Sequence, residues 1–268
     1  ADANGAGAIN VDNYVEFLTT NGNITMAGGA TATETSPTGY AQGNGTNGSG
    51  VELASSAAAT DSVRLVSSGS GAILIKGQVN NQTAYDGVTM WSGVKVSSGS
   101  GTIGIYGSSY QPTGTVSAEG VYLNRTGGYT STISTGSTAT PAIVISGVVT
   151  SASTNASSAS GGVAVLGSSG ALNVTSSSTG SISVIGTASS GTTNSVELNY
   201  TNISAAGGAI TIDGGTKTIE LGYATGVAGT TFGGPSTSSL SGNVKLIADK
   251  LSVHSATSVT FQNAAGVY

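Results

Sequence analysis

One short phrase recurs along this chain: a strand of alternating apolar and small or polar residues, a Ser/Gly turn, then a second and a third such strand. Val51-Glu52-Leu53, Val88-Thr89-Met90, Val121-Tyr122-Leu123, Val163-Ala164-Val165 and Val196-Glu197-Leu198 open successive units 33 to 42 residues apart, a spacing that signals a repeat architecture. Each unit has a middle strand, such as Val63-Arg64-Leu65 or Val94-Lys95-Val96. Each closes on a strand such as Ile73-Leu74-Ile75, Ile103-Gly104-Ile105 or Ile143-Val144-Ile145, with a glycine within two residues of its end. Strands this short bury an apolar side only if the units stack. The expectation is an all-β, right-handed parallel β-helix with three short strands per coil and about seven coils, the hand following from the crossover rule.

Composition agrees. Charged residues are 7% and aromatics 5% of 268 residues, yet hydrophobic residues reach 37%. Gly, Ser, Thr and Asn take the place of charge, a bias that also occurs in disorder. Here the apolar residues fall in period-two clusters at repeated intervals, which a linker has no reason to keep. No stretch carries a helical apolar stripe. The net charge of −5 gives no basic patch for phosphates and argues against a nucleic-acid partner. Cysteine is absent, which removes disulfides and thiolate metal sites. No apolar run is long enough for a transmembrane helix, and residues 1–15 lack the pattern of a signal peptide.

One solenoid domain over residues 1–268 is therefore expected, with loop excursions at about 30–50 and 222–242. In a V-x-L strand the outer residues share one face and the middle residue takes the other. Val51, Val88, Val121, Val163 and Val196 should form one interior column, with Leu53, Met90, Leu123, Val165 and Leu198 beside it. Glu52, Thr89, Tyr122, Ala164 and Glu197 should point outward as a mixed, mostly solvated set. Arg64 and Lys95 should lie on adjacent coils and splay into solvent.

Variable loops follow most third strands, at 30–50, 79–86, 108–119, 148–160 and 188–194, and stacking should align them on one side. Tyr40, Tyr85 and Tyr110 fall in these stretches. Such amphipathic rings suit contact with a protein or a sugar; otherwise they pin their own loops. The sequons at Asn44, Asn47, Asn81 and Asn155 are where a glycan would have room.

The Gly/Ser/Thr/Asn-rich coils, with phrases such as Gly22-Asn23-Ile24-Thr25-Met26 and Gly207-Gly208-Ala209-Ile210-Thr211-Ile212, resemble bacterial surface exoproteins of the filamentous-haemagglutinin and autotransporter-passenger type. The likeness is compositional and periodic over nearly the whole chain. It implies an extracellular or cell-surface location and an adhesive or structural role, with a host-surface protein or glycan as partner. The chain departs from that pattern in having neither an Asn-Pro-Asn-Gly motif nor a C-terminal barrel; Tyr85-Asp86-Gly87 resembles a tripeptide repeated in some of these proteins.

Parallel β-helices also include polysaccharide lyases and hydrolases, so the alternative is a carbohydrate-active enzyme. The best acidic cluster is Glu197 and Glu220 on consecutive coils with Asp213 near the following corner, for which solvated surface acids are the default reading. A lyase would further want a cation beside the developing anion, and only Lys217 is close in sequence. His254 has no triad partner, and no zinc or calcium motif is present. The sequence thus points to a non-enzymatic rod with no cofactor and no metal. Ice binding would need an outward Thr-x-Thr array, which the opening strands do not supply.

The ends of a β-helix expose unpaired backbone and apolar ladder ends. Neither end carries the charges or prolines that block strand addition. Ile9, Val11 and Phe17 at one end, and Val259 and Phe261 at the other, should meet either a second copy stacked head to tail or the flanking coils of a longer chain.

Overall fold

The computed structural model describes residues 7–28, 39–43, 48–54, 56, 58–80, 85–111, 118–124, 126–151, 161–166, 169–189, 194–222, 230–233, 244–254 and 259–261. Their strands form three parallel sheets. The opening sheet runs in the order Ile9–Val11, Val51–Leu53, Val88–Met90, Val121–Asn124, Val163–Leu166, Asn194–Leu198, Thr218–Leu221 and Lys250–Val253. The middle sheet runs Val15–Thr19, Val63–Ser67, Val94–Ser98, Ser131–Thr135, Leu172–Ser176, Thr201–Ala205, Thr230–Phe232 and Val259–Phe261. In the closing sheet Ile24–Met26, Ile73–Asn80, Ile103–Gln111, Ile143–Ser151, Ile182–Ala188, Ile210–Asp213 and Val244–Ile247 follow one another, with Ala41–Gly43 also pairing alongside Ile73–Asn80. Each strand pairs with its counterpart one rung away. The chain is a parallel β-helix.

The interior columns are as the V-x-L pattern requires. Ile9, Val51, Val88, Val121, Val163, Val196, Ile219 and Leu251 stand in one register. Isoleucines 24, 73, 103, 143, 182 and 210 make the matching column of the closing sheet. β-Branched side chains suit such ladders because each packs on an identical neighbour above and below. The corner after the middle strands is instead lined by buried hydroxyls that satisfy turn backbone. Ser98 Oγ donates to the Gly71 carbonyl at 2.8 Å and accepts the Gly101 N–H, and Thr135 Oγ1 repeats this with Gly101 O and Ser137 N–H.

A second corner is made of glycine. Gly77, Gly107 and Gly147 face the carbonyls of Gly87, Gly120 and Gly162; a β-carbon on Gly107 would stand 1.8 Å from the Gly120 oxygen. The contact admits no side chain. These glycines lie inside the closing strands and do not end them, because pairing continues in register through Gly77, Gly107, Gly147 and Gly186. Tyr110, expected in a loop, is therefore on the strand Ile103–Gln111.

The described residues make seven rungs and the first two strands of an eighth, where about seven coils were expected. Thr230–Phe232 lies inside the stretch expected as the 222–242 excursion and is the middle strand of the seventh rung. Val244–Ile247 closes that rung, so Lys250–Val253 and Val259–Phe261 begin an eighth. The 30–50 excursion likewise holds a strand, Ala41–Gly43, paired with Gly77–Val79.

The charges on the middle sheet do not splay apart. Arg64 forms an ion pair with Glu16 of the preceding rung, and Lys95 Nζ lies 3.7 Å from Asp61. Each cation has a carboxylate partner, which removes the repulsion expected between neighbours.

Candidate functional site

Two outer faces carry chemistry. The first is the outer face of the opening sheet, expected to be mostly solvated and found instead largely covered: Thr89 is 5%, Ala164 0% and Glu197 2% exposed. Its acidic residues are held in networks. Asp86 and Glu119 each stand two residues ahead of paired valines on adjacent rungs. Asp86 Oδ1 accepts the Glu119 backbone N–H at 2.9 Å, its Oδ2 accepts the Thr89 hydroxyl at 2.8 Å, and Ser49 Oγ lies 2.7 Å from Thr89 Oγ1. The two carboxyl side chains are close enough to shift each other's ionisation. Burial raises the pKa of Asp86 against the lowering effect of these hydrogen bonds. Burial, then the adjoining Asp86, lifts Glu119 well above the ordinary carboxylate value. This is how two like groups forced together out of water behave.

Glu197 and Glu220 are likewise register partners. The Asn194 amide bridges them, donating to Glu197 Oε1 at 2.8 Å and also to Glu220 Oε2. Burial pushes Glu197 up to about 7, against the Asn194 hydrogen bond and aided by the Glu220 charge. Glu197 is thus no solvated surface acid. Asp213 does not join them: it is on the closing sheet between Ile185 and Ile247, and its carboxylate accepts the Gly215 N–H in a turn. Two carboxyls on neighbouring rungs, one of them lifted by burial, would suit acid–base work; Glu197 is the buried member of the pair. Among the described residues no group of three His, Asp or Glu side chains is placed to hold a metal ion, and no helix is long and apolar enough to cross a membrane.

The second face is the outside of the closing sheet. Its first outward column runs Thr25, Leu74, Gly104, Val144, Ser183 and Thr211. The missing side chain at Gly104 leaves a groove of about 300 Å³ between Leu74 and Val144, lined also by Tyr106, Thr25, Asn23 and Thr102. Asn23 is fixed there through its Oδ1, which accepts the Ala72 N–H at 2.9 Å. Gly104 is unlike the corner glycines. A β-carbon on it would meet side chains first, Tyr106 Cε2 at 2.7 Å and Leu74 Cδ1 at 3.4 Å, so the Tyr106 ring leans over the bare backbone.

Beside this groove lies Tyr40. Lys76 Nζ sits 4.7 Å from the centre of its ring, a cation–π contact. Burial raises the Tyr106 hydroxyl and the neighbouring Tyr40 adds to the shift, while burial lowers Lys76. Tyr110 is 37% exposed on the same strand as Tyr106. Tyr85 is half-buried, its carbonyl accepting the Ser109 hydroxyl at 3.2 Å. Of the three tyrosines singled out from the sequence, Tyr40 lies against Lys76 of the closing sheet, Tyr110 is on that sheet, and Tyr85 is tied to it through its backbone carbonyl. Tyr106 escaped notice; the glycine two positions before it, where other rungs carry Leu74 or Val144, was the available signal. The sequons at Asn44, Asn47, Asn81 and Asn155 lie outside the described residues.

No family model matches the chain, and no curated protein or solved structure matches it.

Proposed function

We propose that this chain is a non-enzymatic extracellular rod, the shaft of a bacterial surface adhesin or a fibre-forming segment, that makes its contacts through its outer faces. The supporting observation is at the last described rung. Leu251 and Val253 continue columns in which Ile219 and Leu221 are fully buried, yet they are 50% and 48% exposed. Another coil laid on that edge, from a flanking part of the same polypeptide or from a second copy, buries them and continues the parallel ladder. Ile9 and Val11 lie in the first strand of the same sheet, at its opposite edge. A head-to-tail contact of this kind is heterologous and yields an open filament.

Negative-stain microscopy of the purified chain and of native surface material tests this reading. Filaments, or recovery of a longer rod containing these coils, support it. Short rods that stay monomeric at high concentration, with no longer parent, overturn it. The competing reading, a carbohydrate-active enzyme, is favoured by the adjacency of Glu197 and Glu220. Release of reducing ends or unsaturated products from acidic polysaccharides, abolished by Glu197→Gln or Glu220→Gln, would establish that reading instead.

A further inference from the structure

We infer that the groove over Gly104 is a binding site for a neutral pyranose unit of a glycan, with Tyr106 as its stacking platform. The inference deepens the adhesive reading above and rests on it for its biological meaning. Three features of the groove select this ligand class.

First, glycine at position 104 is required neither by backbone conformation nor by backbone contact. It is absent from the glycines with positive φ, and the nearest atoms to an added β-carbon belong to flexible side chains. A strand glycine weakens its strand unless something else approaches the backbone closely. Here the approach comes from one edge of the Tyr106 ring, and open space remains beside it.

Second, the lining is arranged as a sugar ring requires. Leu74 and Val144 are one rung away on either side of Gly104, giving apolar walls about 10 Å apart by the strand spacing. Thr25, Thr102 and Asn23 add polar residues to the lining. A pyranose has an apolar face and a polar periphery, which this mixed lining matches. At about 300 Å³ the groove is at the small end of ligand sites.

Third, no lining residue is charged. Lys76, the register partner of Tyr106, lies outside the lining and over the Tyr40 ring, so the groove itself holds no counter-ion for a uronate or sulfated sugar. An extended peptide is disfavoured as well. The groove is on the face of a paired sheet and offers no unpaired backbone edge for strand addition.

Saturation-transfer NMR and calorimetry on the full chain, with cellotriose, maltotriose and chitotriose as neutral probes and trigalacturonate as the charged control, test the site. At least one neutral probe should bind with an affinity in about the millimolar range. Tyr106→Ala and Gly104→Val, which should both fold because they change an outer face, should each weaken it by about tenfold or more. Tyr14→Ala, at an exposed ring beside the middle sheet, should bind as the parent does. No binding of any neutral probe at about 10 mM, stronger binding of trigalacturonate, or binding unchanged in both groove variants overturns the inference. Cell adhesion to surfaces coated with the protein separates the two readings. Adhesion that persists in Tyr106→Ala refutes the groove and leaves the adhesive rod standing; sugar binding without adhesion does the reverse.

Discussion

The Glu119 backbone N–H donates to Asp86 Oδ1 across one rung at 2.9 Å, and the two residues are only 5% and 8% exposed. Two carboxyl groups held together out of water favour a proton on one of them.

Both groups have folded-state pKa values raised above those of the unfolded chain. Over the interval between the two values the folded state binds more protons than the unfolded state, so stability falls as pH rises. Other acidic groups add to the effect, Glu52 on Asp86 and Glu197 on Glu119. Thermal unfolding followed by circular dichroism should therefore give a midpoint that declines from about pH 4, the ordinary carboxylate value, toward alkaline pH. Glu119→Gln should flatten that decline. A midpoint that climbs from pH 4 to pH 8 contradicts a proton held on the pair.

Glu197 offers a narrower window. Its folded value of about 7 against an ordinary value of 4.5 means that stability is greatest below the lower figure and is lost as pH rises toward the higher. At about 1.4 kcal/mol per unit the loss is on the order of 3 kcal/mol. Glu197→Gln keeps an oxygen for the Asn194 amide and removes the charge. The variant should be more stable than the parent at pH 8 and nearly equal to it at pH 4, as read by denaturant midpoints at the two values.

Interior ladder positions should be intolerant. Val88 and Ile105 are fully buried. Ile105→Ala should cost about 2–5 kcal/mol through the cavity it leaves. Val88→Asp places an unpaired charge in the same interior and should cost on the order of 3–5 kcal/mol. Hydrogen exchange should show protection lost at the substituted rung and its neighbours first, because a solenoid couples nearest repeats.

Two glycines on one strand should respond to different degrees. Gly107→Ala drives a β-carbon against the Gly120 carbonyl, which backbone must move to relieve, at about 1–3 kcal/mol or more. Gly104→Val presses on side chains alone, the Tyr106 ring and Leu74, and adds a residue that favours strands, so it should cost less than Gly107→Ala, about 1 kcal/mol or less.

The interior was legible because alternation fixes which side chains share a face, and Val51, Val88 and Val121 needed nothing more. Thr230–Phe232 was not, since a three-residue strand in a Gly/Thr/Ser tract presents one large apolar residue, Phe232, and leaves no period to read. Alternation also placed Glu197 on the outer face correctly but carried no information on whether that face is covered. The pairing of Glu197 with Glu220 followed from coil spacing; the bridge through Asn194 did not, because it depends on an irregular register just ahead of Val196. The groove was hidden for a different reason. It is made by an absent side chain, and a glycine among many glycines is conspicuous only once its neighbours across the sheet are known.

The inter-rung hydrogen bonds of all three sheets are directed from each coil to the next, along the direction in which the rungs accumulate. A pull applied along that direction loads the ladder of one rung interface in tension rather than sliding strands past each other. Under such a load the molecule should yield by peeling, one coil of 23 to 42 residues, counted at the opening sheet, at a time, so that its resistance is set by the weakest interface and its extensibility by the number of coils.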